Sequence, residues 1–212
     1  MMKLWHCHDA RSLRPLWALE EMGREYELEI LPFPPRFFQK EYLSINPLGT
    51  VPSFEDGAIQ MTESTGICHY LAERYAPELS VPSDHPEYGS YLNWMYHSDA
   101  TLTFPQTLYL RYKLLEPEER RQPQVATDYA NWYIARLRLL DAHIKEREFL
   151  CDGRFTMADI AITYALYLGE LNGFADRYTE QVRAYLAAMK QRPAFITAIA
   201  RTEGSDVPSL LK

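Results

Sequence analysis

The chain has 212 residues, a formal net charge of -7 and 24% charged residues, a balance that disfavours a broad nucleic-acid or anionic-membrane surface. No apolar run approaches the roughly 20 residues that span a bilayer. Met1-Met2-Lys3 leads straight into a strand pattern with no signal-peptide arrangement, so a cytoplasmic protein of one domain or two small ones is expected.

In chain order, residues 3–8 read as a first strand. Residues 12–23 read as a helix with Leu13, Leu16, Trp17, Leu19 and Met22 before a Gly23 stop. Residues 26–31 offer a second strand, followed by the Pro32-Phe33-Pro34-Pro35 loop and a short segment around 37–44. Asn46-Pro47-Leu48-Gly49 reads as a turn, and Val51-Pro52 opens a strand. Residues 53–56 and 59–62 flank Gly57 as a hairpin. Glu63-Ser64 then opens a helix in which Ile67, Leu71 and Tyr75 recur at helical spacing, with Tyr70 and Ala72 on the same flank. Residues 77–86 break all periodicity and read as a linker.

Beyond the linker the pattern is helical over residues 88–115, 125–146, 157–171, 180–191 and 194–201, with apolar residues three and four apart. Pro105 is expected to kink or interrupt the first of these helices. Thr156 with Asp159 three residues on matches a capping box with Asp in place of Glu or Gln, a structural device. No internal repeat or low-complexity tract is present in the sequence.

The stretch from Asn46 to Tyr75 combines three backbone devices that suit a small peptide. An X-Pro bond at a strand start is a place where a cis peptide is fixed. A cis Val51-Pro52 would turn the Val51 main chain outward as an edge for an extended ligand to pair with. Free amides at the start of the following helix, with the Ser64 hydroxyl, suit a carboxylate, and Glu63 suits an ammonium. A ligand with an α-amino-acid head and a peptide tail would satisfy all three.

The run Asn46-Pro47-Leu48-Gly49-Thr50-Val51-Pro52, then Glu63-Ser64 leading into Ile67-Cys68-His69-Tyr70-Leu71, resembles the glutathione-binding half of the cytosolic glutathione transferases, of bacterial type. The later Phe155-Thr156-Met157-Ala158-Asp159-Ile160-Ala161 segment fits the same family. The resemblance implies an α/β thioredoxin-like domain over residues 1–76, the linker at 77–86 and an all-α helical-bundle domain over 87–212. It implies glutathione as co-substrate without a metal, a homodimer, and Thr50, Val51, Pro52, Glu63 and Ser64 as glutathione contacts. Thr50 stands where relatives often have lysine or glutamine, so Gln39 or Lys40 is expected to supply the contact to the glycine carboxylate.

Transferase chemistry needs a donor at the glutathione sulfur that favours the thiolate. The family places a tyrosine, serine or cysteine in the segment that here reads His8-Asp9-Ala10-Arg11-Ser12-Leu13-Arg14. Alignment on Arg14 with the serine-type pattern puts the key position at Ala10; alignment on Ser12-Leu13-x-Pro15 with the bacterial cysteine type puts it at Arg11. Ser12, the hydroxyl of this loop, is the first candidate for the sulfur contact, and its place before a helix also suits an N-cap. Arg11 is the second candidate, as a guanidinium beside a thiolate. The helix N-terminus with its main-chain amides would need neither.

His6, Cys7 and His8 do not make a metal site in an extended strand, because the two histidines share one face and Cys7 points to the other. Cys7, Cys68 and Cys151 contain no Cys-x-x-Cys pair, which indicates neither a disulfide framework nor a zinc cluster. The family resemblance places a hydrophobic electrophile between the domains, with Trp94, Tyr96, His97, Phe104 and Tyr109 offering an aromatic flank. The leading expectation is an enzyme that deprotonates bound glutathione and adds it to an electrophilic carbon or reduces a peroxide. A non-catalytic glutathione-binding or regulatory protein on the same fold is the alternative. A glutathione-dependent isomerase or reductase is a third reading, although the serine-serine-cysteine-serine signature of one isomerase branch is missing.

Overall fold

A computed structural model of the chain describes residues 1–203. The chain divides into two compact units, one formed by Met1–Ser80 together with the stretch from Lys190 onward, the other by Val81–Met189. The division falls inside the expected linker, which holds a 3-10 turn at Pro77–Leu79.

The first unit is built on a mixed four-stranded sheet in the order β2-β1-β3-β4, with β1 at Met2–His6, β2 at Tyr26–Ile30, β3 at Ser53–Asp56 and β4 at Ile59–Met61. β1 runs parallel to β2 across the crossover helix α1 (Leu13–Met22), with Leu4 opposite Leu28. It runs antiparallel to β3, with Leu4 opposite Phe54, and the β3-β4 hairpin turns at Gly57 in a left-handed conformation (φ 61). A short helix α2 (Pro35–Phe38) and a 3-10 turn at Lys40–Ser44 connect β2 to β3. Helix α3 (Ser64–Tyr75) follows the hairpin. This is the thioredoxin-like arrangement. Strand alternation puts Trp5 and Cys7 on one face of the sheet, where they pack with Leu31, Tyr42 and Val51.

Helix α9 (Pro193–Glu203) belongs to this unit, although the sequence reading assigned it to the helical domain. Its stripe Phe195, Ala198 and Thr202 is buried, and the Phe195 ring meets Trp17 of α1 edge-on at 5.0 Å. Arg192, just before α9, grips Glu21 of α1 through two parallel hydrogen bonds of 2.7 and 2.9 Å. A periodic apolar stripe says that a helix is packed, not on which partner.

The second unit contains α4 (Tyr88–His97), α5 (Phe104–Leu110), α6 (Pro123–His143), α7 (Met157–Leu171) and, up to Met189, α8 (Glu180–Lys190). Helix α7 is buried on every side from Met157 to Gly169, as the central helix of a bundle must be. Both halves of the Thr156/Asp159 capping box form at its start. Asp159 also accepts the Leu150 amide at 2.9 Å and the Tyr185 hydroxyl at 2.8 Å. The interruption expected at Pro105 lies one turn earlier, as a π-helical segment over Ser98–Thr103. Proline at i cannot donate to the carbonyl at i-4 and crowds it, so the preceding turn widens. The Thr103 hydroxyl takes up the Ser98 carbonyl at 2.8 Å.

Candidate functional site

The turn before β3 is braced from inside. Gly49 has φ 57, and a Cβ there would lie 2.5 Å from Arg36 Cβ and 2.9 Å from Leu43, so glycine is required. The buried Asn46 accepts the Leu48 amide at 3.1 Å and donates to the Thr50 carbonyl at 2.8 Å. The Tyr42 hydroxyl donates to that same carbonyl at 2.8 Å. Two donors on one carbonyl fix the plane of the Thr50-Val51 peptide. The Val51-Pro52 bond is cis, and sheet pairing begins only at Ser53, so the Val51 main chain lies outside the ladder while its side chain anchors in the core with Trp5 and Tyr42. Thr50 and Gln39 are half-buried and Lys40 is exposed.

At the start of α3, Glu63 is exposed, with an extended backbone and no capping bond from its carboxylate. Ser64, the first helical residue, is 3% exposed, and its Oγ accepts a 2.9 Å hydrogen bond from Arg14 Nη1. Arg14 comes from α1 and is fully buried among Leu13, Pro15, Leu16 and Trp17 of its own helix. Cys68, one turn further along α3, is pushed up to about 12 by burial, against the opposing pull of the Arg14 charge. Sequence reasoning used Arg14 only to align the loop. The available signal was a cation inside an apolar helix segment.

The loop between β1 and α1 folds back on itself. Asp9 adopts φ 56, the Ala10 amide donates to the Cys7 carbonyl at 3.2 Å, and the Leu13 and Arg14 amides donate to the Ala10 and Arg11 carbonyls. This draws Ser12 inward. It is fully buried, its Oγ accepts the Cys7 amide at 3.3 Å, and its helical backbone (φ -64, ψ -12) makes no side-chain cap. The expectation that Ser12 caps α1 is therefore corrected: its oxygen holds the loop. Arg11 and Ala10 are half-buried. Burial pushes the Cys7 thiol up to about 12, which suits a packing residue rather than a nucleophile. His6 is buried and pushed down to about 3, by burial first and then by neighbouring His8. Among the described residues, no group of three His, Cys, Asp or Glu side chains is placed to hold a metal ion, and no helix is long and apolar enough to cross a membrane.

Residues 1–73 match the family profile described as glutathione S-transferase, N-terminal domain. These residues carry the N-terminal domain of the glutathione S-transferase family. Glutathione S-transferase 3 of Schizosaccharomyces pombe is 23% identical over 96% of this chain and 88% of its own length. Elongation factor 1-gamma-B of Xenopus laevis is 29% identical over 74% of this chain, which corresponds to only 36% of that longer protein. The solved structure of a sphingomonad glutathione S-transferase complexed with glutathione has the same fold, with a TM-score of 0.82 at 22% identity over 96% of this chain and 100% of that one.

The glutathione S-transferase resemblance also put an aromatic flank in the helical unit, and its members separate by burial. Trp94 is 3% exposed, and its ring centroid lies 5.4 and 4.9 Å from those of His97 and His143. Tyr96 and Phe104 are 60% and 55% exposed. Half-buried His97 has its Nε2 buried without a partner and is held below the usual imidazole range by burial and by the Arg136 charge. Tyr109 packs edge-on against Phe174 at 4.8 Å.

Proposed function

We propose that this protein is a cytoplasmic, homodimeric glutathione transferase. It binds glutathione on the first unit, stabilises the thiolate and adds it to a hydrophobic electrophile or uses it to reduce a peroxide. The observation behind this reading is the Ser64 hydroxyl, buried at the start of α3 and hydrogen-bonded from Arg14, in the same unit as the cis Val51-Pro52 edge. The α-carboxylate of the γ-glutamyl head takes the Ser64 hydroxyl and the first-turn amides of α3, which have no partner within the helix. Glu63 takes the ammonium. The cysteinyl main chain pairs with Val51 as an added strand. Gln39 or Lys40 meets the glycine carboxylate, and Thr50 supports this end through its braced carbonyl.

Ser12 is fully buried with its oxygen turned to the Cys7 amide, and we assign thiolate stabilisation to Arg11, which is half-buried. The thiol proton leaves to solvent, and the guanidinium favours the anion left behind. The thiolate sulfur then forms its bond to the electrophilic carbon, displacing a leaving group or adding across an activated double bond. Tyr96 and Phe104 supply exposed aromatic surface for the hydrophobic partner, with His97 beside Tyr96 in α4.

Likeness to elongation factor 1-gamma-B favours a second reading, a glutathione-binding or regulatory protein without turnover. Calorimetric titration with glutathione, followed by an electrophile and peroxide screen, separates the two: binding with turnover supports the transferase, and binding without turnover the second reading. No binding contradicts both. Sedimentation of the free protein tests the homodimer, which a monomer throughout the micromolar range would contradict.

A further inference from the structure

We infer that Arg14 is a positioning residue that sets the polarity of the Ser64 hydroxyl, making the start of α3 selective for a carboxylate. This rests on the proposed glutathione reading and adds to it a residue that touches no ligand. A guanidinium has only hydrogen-bond donors, whereas a hydroxyl has one proton and two lone pairs. The 2.9 Å contact from Arg14 Nη1 to Ser64 Oγ therefore uses a lone pair of the serine and leaves its proton for another acceptor. Both side chains are closed off from solvent, at 0% and 3% exposure, so the bond acts in a low-dielectric setting where its direction is strongly enforced. An ammonium at the same place would face the guanidinium charge behind the hydroxyl, while a carboxylate would be drawn by it and by the α3 amides together. Arg14 thus helps decide which end of the α-amino-acid head lies at Ser64.

The test compares glutathione with its analogue carrying γ-aminobutyryl in place of γ-glutamyl, which keeps the amine and lacks the α-carboxylate. Titrations use wild type, Arg14→Lys, Arg14→Gln and Ser64→Ala. Wild type should prefer glutathione by about tenfold or more, the worth of one charge-assisted bond. Arg14→Lys remains a donor-only cation and should keep that preference. Arg14→Gln can turn its carbonyl toward Ser64 and take up the hydroxyl proton, so its preference should fall to that of Ser64→Ala. A purely structural role for Arg14 would lower thermal stability without moving the ratio.

A folded Arg14→Gln with the wild-type preference overturns the inference while leaving the glutathione reading intact. Failure of wild type to bind glutathione overturns the reading and the inference with it. If Arg14→Gln does not fold, wild type labelled with nitrogen-15 arginine supplies the test. The Arg14 guanidinium resonance should shift with glutathione and not with the analogue at equal saturation, and equal shifts would overturn the inference.

Discussion

Ser64, Ser12 and Arg11 have different roles here. In the proposed transferase Ser64 presents a buried hydroxyl to the ligand, and Ser64→Ala should weaken glutathione binding by roughly 1.5–3 kcal/mol, the worth of a hydrogen bond to a charged group; unchanged affinity by calorimetry would contradict the assignment. Ser12 accepts a buried amide, so Ser12→Ala should destabilise the fold by about 1–3 kcal/mol in urea unfolding by orphaning that donor. It should leave the ionisation of bound glutathione where it was. Arg11→Met should raise the pKa of the bound thiol by about one unit or more, as expected when a cation within a few ångströms of an anion is removed. Arg14 was not legible as part of the site because its partner lies 50 residues further on. The inward turn of Ser12 was not legible because a serine before a helix has the same sequence signature whether its hydroxyl turns outward to a ligand or inward to the loop.

Elements whose signals are local agree closely with the sequence. The hairpin, the start of α3 and the capping box of α7 are each specified by residues within a few positions: Gly57, Glu63-Ser64 and Thr156 with Asp159. The packing partner of helix α9 and the π-helical form of the break before Pro105 were not legible. The first depends on a partner surface at Trp17 and Glu21 of α1, and the second on how one missing amide is absorbed by the turn before it. Packing of α7 makes a sharper claim than its periodicity. Gly169 lies beneath the hydroxyls of Tyr178 and Tyr133, where a Cβ would come within 1.9 and 2.5 Å. Those hydroxyls bond each other at 2.6 Å, and the Tyr178 hydroxyl also donates to the Leu166 carbonyl at 2.8 Å. Gly169→Ala should therefore destabilise the helical unit by about 1–3 kcal/mol despite the better helix propensity of alanine. An unchanged or raised melting temperature would contradict this packing.

At the scale of the whole molecule, acid stability and glutathione chemistry can be read separately. Buried His6 is depressed from 6.5 to about 3, so below pH 6.5 the unfolded chain takes up a proton that the folded chain refuses. The stability this represents is fully present above pH 6.5 and is lost as pH falls toward 3. Asp56, held below the usual carboxylate range by the Tyr75 and Tyr70 hydroxyls, acts in the same direction at lower pH. Urea unfolding at pH 7 and pH 5 should show a loss in wild type that is smaller in His6→Gln; equal losses would contradict the buried neutral histidine. The transferase account itself is tested most directly by following the ultraviolet absorbance of the glutathione thiolate against pH with saturating wild-type protein. The account predicts that the bound thiol ionises well below the roughly 8.5 of a free thiol, and that Arg11→Met removes much of the shift. Bound glutathione that ionises at its free value would contradict the account and leave a protein that holds the tripeptide without activating it.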